Sequence, residues 1–154
     1  MRLRSLLYGA MNLPVRALLR SPMHGVASDS LCILHLRGRR SGREFEIPLS
    51  HARVPGESPL VRLLSSRNTR WWMNLLDGPT PVELEIARER LPGIARVRLA
   101  DDERFREGVR AFLTALPRDA RIYGIPLDRE RRPLESGIEQ AADHVVLVEV
   151  ELEP

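Results

Sequence analysis

Arg37-Gly38-Arg39-Arg40-Ser41-Gly42-Arg43, followed by Glu44-Phe45-Glu46-Ile47-Pro48-Leu49, decides how this chain is read. Before it, Leu31 to Arg37 is short and apolar and predicts a buried strand. After it, Phe45, Ile47 and Leu49 alternate with Glu44, Glu46 and Ser50. That alternation predicts a second strand over Glu44 to His51, with Pro48 marking an edge or a bulge. The seven residues between are then a hairpin tip carrying four arginines and two glycines. Such a tip offers backbone N–H groups, a hydroxyl and guanidinium forks together, which is the chemistry of polyanion binding. A solvated charged turn accounts for the same composition, because turns favour Gly and Ser.

The pattern continues outward from the hairpin. Pro55-Gly56-Glu57-Ser58-Pro59 is a turn cluster, and Leu60 to Ser65 reads as a third strand. Arg70 to Leu76 predicts a short helix ending at Asp77-Gly78-Pro79. Val82, Leu84 and Ile86 alternate as a fourth strand, and Ile94 to Leu99 as a fifth. Asp101 is placed to cap a helix with Asp102 and Glu103 in its first turn and Phe105, Val109, Phe112 and Leu113 as its apolar stripe. Residues 118–143 are polar and proline-punctuated, with a short helix over Leu134 to Ala142. Val145 to Leu152 alternates as the last strand. Six mostly antiparallel strands with helices at intervals predict a small barrel with helical decoration, mainly β within an α+β class.

Upstream, residues 3–20 carry Leu3, Leu6, Leu7, Ala10 and Met11 at helical spacing, with Pro14 as a break and Arg2, Arg4, Arg16 and Arg20 as the cationic part. This is a helix packed on its own domain or a basic amphipathic element touching anionic lipid through residues 1–20. Arg16 and Arg20 interrupt the apolar stretch too early for a signal peptide, and no run has the length of a membrane span.

The 154 residues suffice for one domain with a real core, and 43% apolar with 29% charged residues is a globular balance. All 24 basic residues are arginine, which excludes lysine chemistry of the Schiff-base or general-base kind. The net charge is only +3, so local arginine density is weak evidence for a strong field. One cysteine, Cys32, lies in an apolar run and excludes an internal disulfide and a cysteine zinc cluster; a reducing cytoplasm fits.

No histidine spacing matches a metal site among His24, His35, His51 and His144. A nucleophile elbow is missing, and no carboxylate pair stands out as an acid/base couple. A second constellation does: Ser65-Ser66-Arg67-Asn68-Thr69-Arg70-Trp71-Trp72-Met73-Asn74. Adjacent tryptophans on a helix cannot share a face, so one packs inward while the other borders a pocket. Asn74 lies three residues beyond Trp71. Together with the hydroxyls of Ser65 and Ser66 and the guanidinium of Arg67, this suits a planar aromatic cofactor with a polar tail. Plain packing of both indoles accounts for the tryptophans equally.

Taken in order and spacing, Gly38-Arg39-Arg40-Ser41-Gly42-Arg43, Ile47-Pro48-Leu49, Trp71-Trp72-Met73-Asn74-Leu75 and Pro81-Val82-Glu83-Leu84 resemble the deazaflavin-dependent nitroreductase and quinone reductase family. The resemblance runs from about Leu18 to Leu99 and includes Leu18-Leu19-Arg20-Ser21-Pro22-Met23-His24. It implies a split β-barrel of the flavin-reductase (FMN-binding-like) type over residues 1–154, with 1–22 as an N-terminal helical extension. It implies coenzyme F420, an 8-hydroxy-5-deazaflavin, with hydride transfer to a nitro, quinone or similar small acceptor. By the same resemblance Arg39, Arg40, Ser41 and Gly42 hold the coenzyme's phosphate and acidic tail. Ser65, Ser66 and Arg67 lie near the ring or phosphate, and Trp71 and Asn74 lie beside the ring. Hydride chemistry belongs to the cofactor, which agrees with the missing acid/base signature. Where the family lines its acceptor pocket with several tyrosines, the late part of this chain offers only Tyr123, a candidate proton donor or pocket wall.

Three expectations follow: a deazaflavin-dependent oxidoreductase; a non-catalytic carrier of deazaflavin, FMN or haem, with FMN as the alternative cofactor; and a nucleic-acid module. The last is disfavoured, because the tip lacks neighbouring surface aromatics and Glu44 and Glu46 follow it. A homodimer is expected from the fold by analogy.

Overall fold

The computed structural model describes residues 30–154, so the expected helix over residues 1–22 and its lipid contact, with His24, lie outside the described residues. Six strands form a closed barrel: β1 (Leu31–Arg37), β2 (Glu44–Arg53), β3 (Leu60–Ser66), β4 (Thr80–Ile86), β5 (Glu89–Arg98) and β6 (Val145–Leu152). Their order around the barrel is β1-β2-β3-β6-β5-β4, and β4 returns to pair with β1. Every pairing is antiparallel. The wall is narrowly paired at two seams, and β1 meets β4 only through Ile33–His35. β2 meets β3 only through His51–Arg53, so Glu44–Ser50 pair with β1 alone. Pro48 sits in that singly paired stretch, where a missing N–H costs least.

Period-two alternation builds the interior. Cys32, Leu34 and Leu36 of β1 meet Val82 and Leu84 of β4 and Val146, Val148 and Val150 of β6 in one cluster. The opposite face of β3 and β6 is also covered, which is why the start of β6 is apolar throughout. Leu64, Val145 and Leu147 pack under Phe105, Val109 and Phe112 of α1 (Glu103–Ala115) and Ile138 of α2 (Glu135–Ala141). Each such fully buried side chain contributes roughly 1.5–3 kcal/mol of transfer free energy. Two 3₁₀ turns complete the fold, Trp71–Leu75 and Pro117–Arg121. No helix of the described residues is long and apolar enough to cross a membrane.

Three details depart from the sequence reading. β5 begins at Glu89 rather than Ile94, because Ala87 and Arg88 form a tight hairpin turn at φ +52° and +68°. Both central residues of such a turn need positive φ, usually supplied by Gly or Asn, so the signal was absent. Asp102, not Asp101, caps α1: its backbone is extended and its side chain accepts from the Phe105 N–H at 2.8 Å. Asp101 instead pairs with Arg106 at 2.8 Å. Phe45 does not share the buried face of Ile47; it is 41% exposed at the strand's end, beyond the barrel interior.

Candidate functional site

The β1–β2 tip is held closed by its own backbone. Gly38 N–H donates to the Arg43 carbonyl at 2.8 Å, and Gly42 N–H to the Gly38 carbonyl at 2.9 Å. Gly42 lies at φ +70°, where a side chain is strained. A Cβ on Gly38 would stand 2.8 Å from both the Phe45 ring and the Ser41 hydroxyl. The Ser41 Oγ accepts from the Arg43 N–H at 3.2 Å, so its own proton stays available. The N–H groups of Arg40 and Ser41 have no acceptor among the described residues, and both residues are exposed. Two successive free N–H groups beside a hydroxyl form an anion cradle.

Opposite the tip stands the short helix. Residues three apart eclipse in a 3₁₀ turn, so Trp71 aligns with Asn74, and Trp72 with Leu75. Two of the three faces are thereby buried. Trp71 and Trp72 are each 8% exposed and both join the barrel core. The expectation that one indole borders a pocket is therefore corrected: the helix packs two faces against the barrel and takes both rings inward. The third face carries Met73, 38% exposed. Asn74 reaches across to the tip: its Oδ1 accepts from the Arg39 N–H at 3.0 Å, and its Nδ2 donates to the Trp71 carbonyl at 2.9 Å. The Arg39 guanidinium pairs with Asp77 at 3.3 Å.

Between tip and helix lies a cavity of about 540 Å³ lined by Gly38, Arg39, Arg40, Ser41, Phe45, Arg70, Met73 and Asn74. Arg40 and Arg70 have no ion-pair partner among the described residues. The cavity thus combines guanidiniums, free N–H groups and an apolar rim. Of the expected site residues it gathers Arg39, Arg40, Ser41 and Asn74; Gly42 shapes the tip beside it. Arg70, Met73 and Phe45 were missed. The eclipsing of Arg70 with Met73 was the signal that could have found the first two.

The remaining expected residues are not among those lining this cavity. Ser65 is buried; its Oγ accepts from Trp71 Nε1 at 2.9 Å and lies 2.7 Å from Thr69 Oγ1. The Ser66 carbonyl accepts from the Thr69 hydroxyl at 2.8 Å. Arg67 donates to the Leu99 carbonyl at 3.1 Å, away from the tip. Tyr123 is half-buried against the helical layer and is not among the residues lining the cavity. His35 bonds Glu85 at 2.9 Å, and the His144 ring meets the Tyr123 carbonyl at 2.8 Å. Among the described residues no three metal-ligating side chains gather.

Two other concavities compete for attention. One of about 600 Å³ beside β1, β4 and β5 carries Glu44, Glu83 and Glu153 with Arg37 and Arg90, and Arg90 is already paired with Glu44 and Glu83. Another of about 630 Å³ follows the Pro117–Arg121 turn and includes Arg118, Arg121 and Arg131.

Comparison with known proteins bears on the choice. The model of the family described as F420H(2)-dependent quinone reductase matches residues 21–119. No curated protein matches the chain. Among solved structures, one described as a domain-swapped dimer is 16% identical, covering 92% of this chain and 96% of its own, with a TM-score of 0.56. A NimC/NimA family protein from Clostridium acetobutylicum is 12% identical, covering 84% of this chain and 76% of its own, with a TM-score of 0.53. At such identities the likeness shows the split-barrel fold and nothing finer.

Proposed function

This chain belongs to the F420H(2)-dependent quinone reductase family, and on that premise we propose that it reduces a small electron-poor acceptor, a quinone or nitro compound, at the cavity between the arginine tip and the short helix. Coenzyme F420 is the family's cofactor, and the enzyme class is a deazaflavin-dependent reductase. The observation that carries the placement is the cradle itself: one cavity is lined by residues with free N–H groups, Arg40 and Ser41, and with unpaired guanidiniums, Arg40 and Arg70. Those residues fit a phosphate with further carboxylates, and the apolar rim of Phe45 and Met73 fits a planar ring. Arg121, Arg131 and Leu127 of the third concavity fall beyond the matched segment.

When bound, the reduced coenzyme supplies a hydride, and the acceptor takes it with one proton. The chain's own residues hold and orient. Arg39, Arg40 and Arg70 bind the anionic tail, and Ser41 donates its hydroxyl. Among the described residues no acid side chain lines the cavity and Tyr123 packs against the helices, so this reading takes the proton from water. FMN, whose single phosphate is also anionic, is the alternative ligand and binds more weakly because it lacks the carboxylate tail. The free, fully buried Cys32 accords with a reducing cytoplasm. The homodimer stays part of the proposal, supported by the fold it shares with a domain-swapped dimer.

Stopped-flow absorbance with reduced F420 and a quinone or nitroaromatic tests the reading. Coenzyme oxidation that depends on enzyme and acceptor is the expected result. Tight coenzyme binding with no oxidation by any acceptor of either class would instead make the protein a carrier.

A further inference from the structure

We infer that Asn74, Trp71 and Ser65 are positioning residues: one hydrogen-bonded relay from the end of β3 to the arginine tip, acting on the coenzyme through Arg39. The inference rests on the coenzyme reading above and assigns these three residues a different role from that of ring contacts.

Proton bookkeeping gives the relay a direction. Thr69 Oγ1 donates to the Ser66 carbonyl, so it accepts from Ser65. Ser65 accepts from the Trp71 indole N–H, and its own proton goes to Thr69 at 2.7 Å in preference to the Ser66 carbonyl at 3.4 Å. The Trp71 carbonyl accepts from Asn74 Nδ2, and Asn74 Oδ1 accepts from Arg39 N–H. The carboxamide orientation is fixed by its partners, because flipping it would set NH₂ against N–H and oxygen against carbonyl. Two members are buried and so hold their bonds against water.

The tip needs such a tether. Arg39 lies 35 residues from Asn74 and is exposed, between two glycines that make the tip expensive to order. With Arg39 N–H taken by Asn74, the next two N–H groups, of Arg40 and Ser41, stay free on residues that line the cavity. Losing the tether would let the tip swing and blur the cradle, while the apolar rim of Met73 and Phe45 stays in place. Its loss should therefore weaken ligands with an anionic tail and spare those without one.

The test uses the full chain and Asn74→Ala, with two readouts. Hydrogen exchange by NMR should show the Arg39 amide protected in the wild type and exchanging at least about tenfold faster in the variant. Titration should show affinity for F420 falling about tenfold, while affinity for the same deazaflavin ring lacking the phosphate and glutamyl tail changes less than about twofold. Ser65→Ala, at the far end of the relay, should show the same pattern more weakly. Arg40→Ala should weaken F420 yet leave the Arg39 amide protected. Unchanged Arg39 exchange in both relay variants would overturn the inference. So would equal losses for the tailed and tail-less ligands, which would make Asn74 a ring contact. Should the wild type bind neither ligand, the coenzyme reading fails, and the exchange result still decides the tether.

Discussion

His51 is the residue through which the fold makes stability depend on mildly acidic pH. It lies on β2 at 4% exposure, and its Nδ1 has no hydrogen-bond partner. Burial first, and the Arg53 charge second, push its pKa down to about 4. The sign follows from linkage. In the unfolded chain this imidazole takes up a proton near pH 6.5, whereas the folded protein resists until about pH 4. Stability therefore falls as pH drops through that window, by about 3 kcal/mol once both limits are passed. Urea unfolding from pH 7 to pH 4 should show this slope, and His51→Leu should flatten it. The lowered carboxylates Asp101, Asp128 and Glu135 act in a different window, losing their contribution only as pH falls below the ordinary carboxylate range. Cys32 is the other displaced group: burial pushes its thiol up to about 12, which leaves it an inert core residue as its apolar setting predicts.

At the scale of elements, α1 depends on its cap. Asp102 holds the Phe105 N–H, and Phe105 is fully buried between α1 and the sheet. Asp102→Ala should cost about 1 kcal/mol in chemical denaturation. Asp101→Ala removes only an exposed pair with Arg106 and should cost less. The same comparison shows what the sequence made legible. β2 and β6 were readable from alternation, α1 from its 3.6-residue stripe, and β1 and β3 as short apolar runs bounded by turn residues. β5 was read short because Ala87-Arg88 turns without Gly or Asn, and because Pro92-Gly93 looks like a break where the strand in fact continues. In the site, Arg39, Arg40, Ser41 and Asn74 were legible from motif order. Arg70 was not, since it joins the tip only across the barrel's end. The relay of Ser65, Thr69 and Trp71 depends on where side chains point, which residue spacing alone does not contain.

Over the whole molecule, what sets one patch of arginine apart is its place on the barrel, beside free backbone N–H groups. Several cationic side chains are matched locally: Arg90 with Glu83 and Glu44, Arg110 with Glu107 and Glu135, Arg98 and Arg104 with the buried Glu149. Arg40 and Arg70 stand unmatched beside the seam-side hairpin, where β2 leaves the barrel wall and its tip meets the short helix. The most direct test of that account is calorimetric titration with F420 and FMN in parallel, on the wild type and Arg40→Ala, at low and high salt. The account predicts F420 binding tighter than FMN, about tenfold weaker in Arg40→Ala, with a shallower salt dependence in that variant. F420 affinity unchanged by the substitution, or no F420 binding by the wild type, would contradict it.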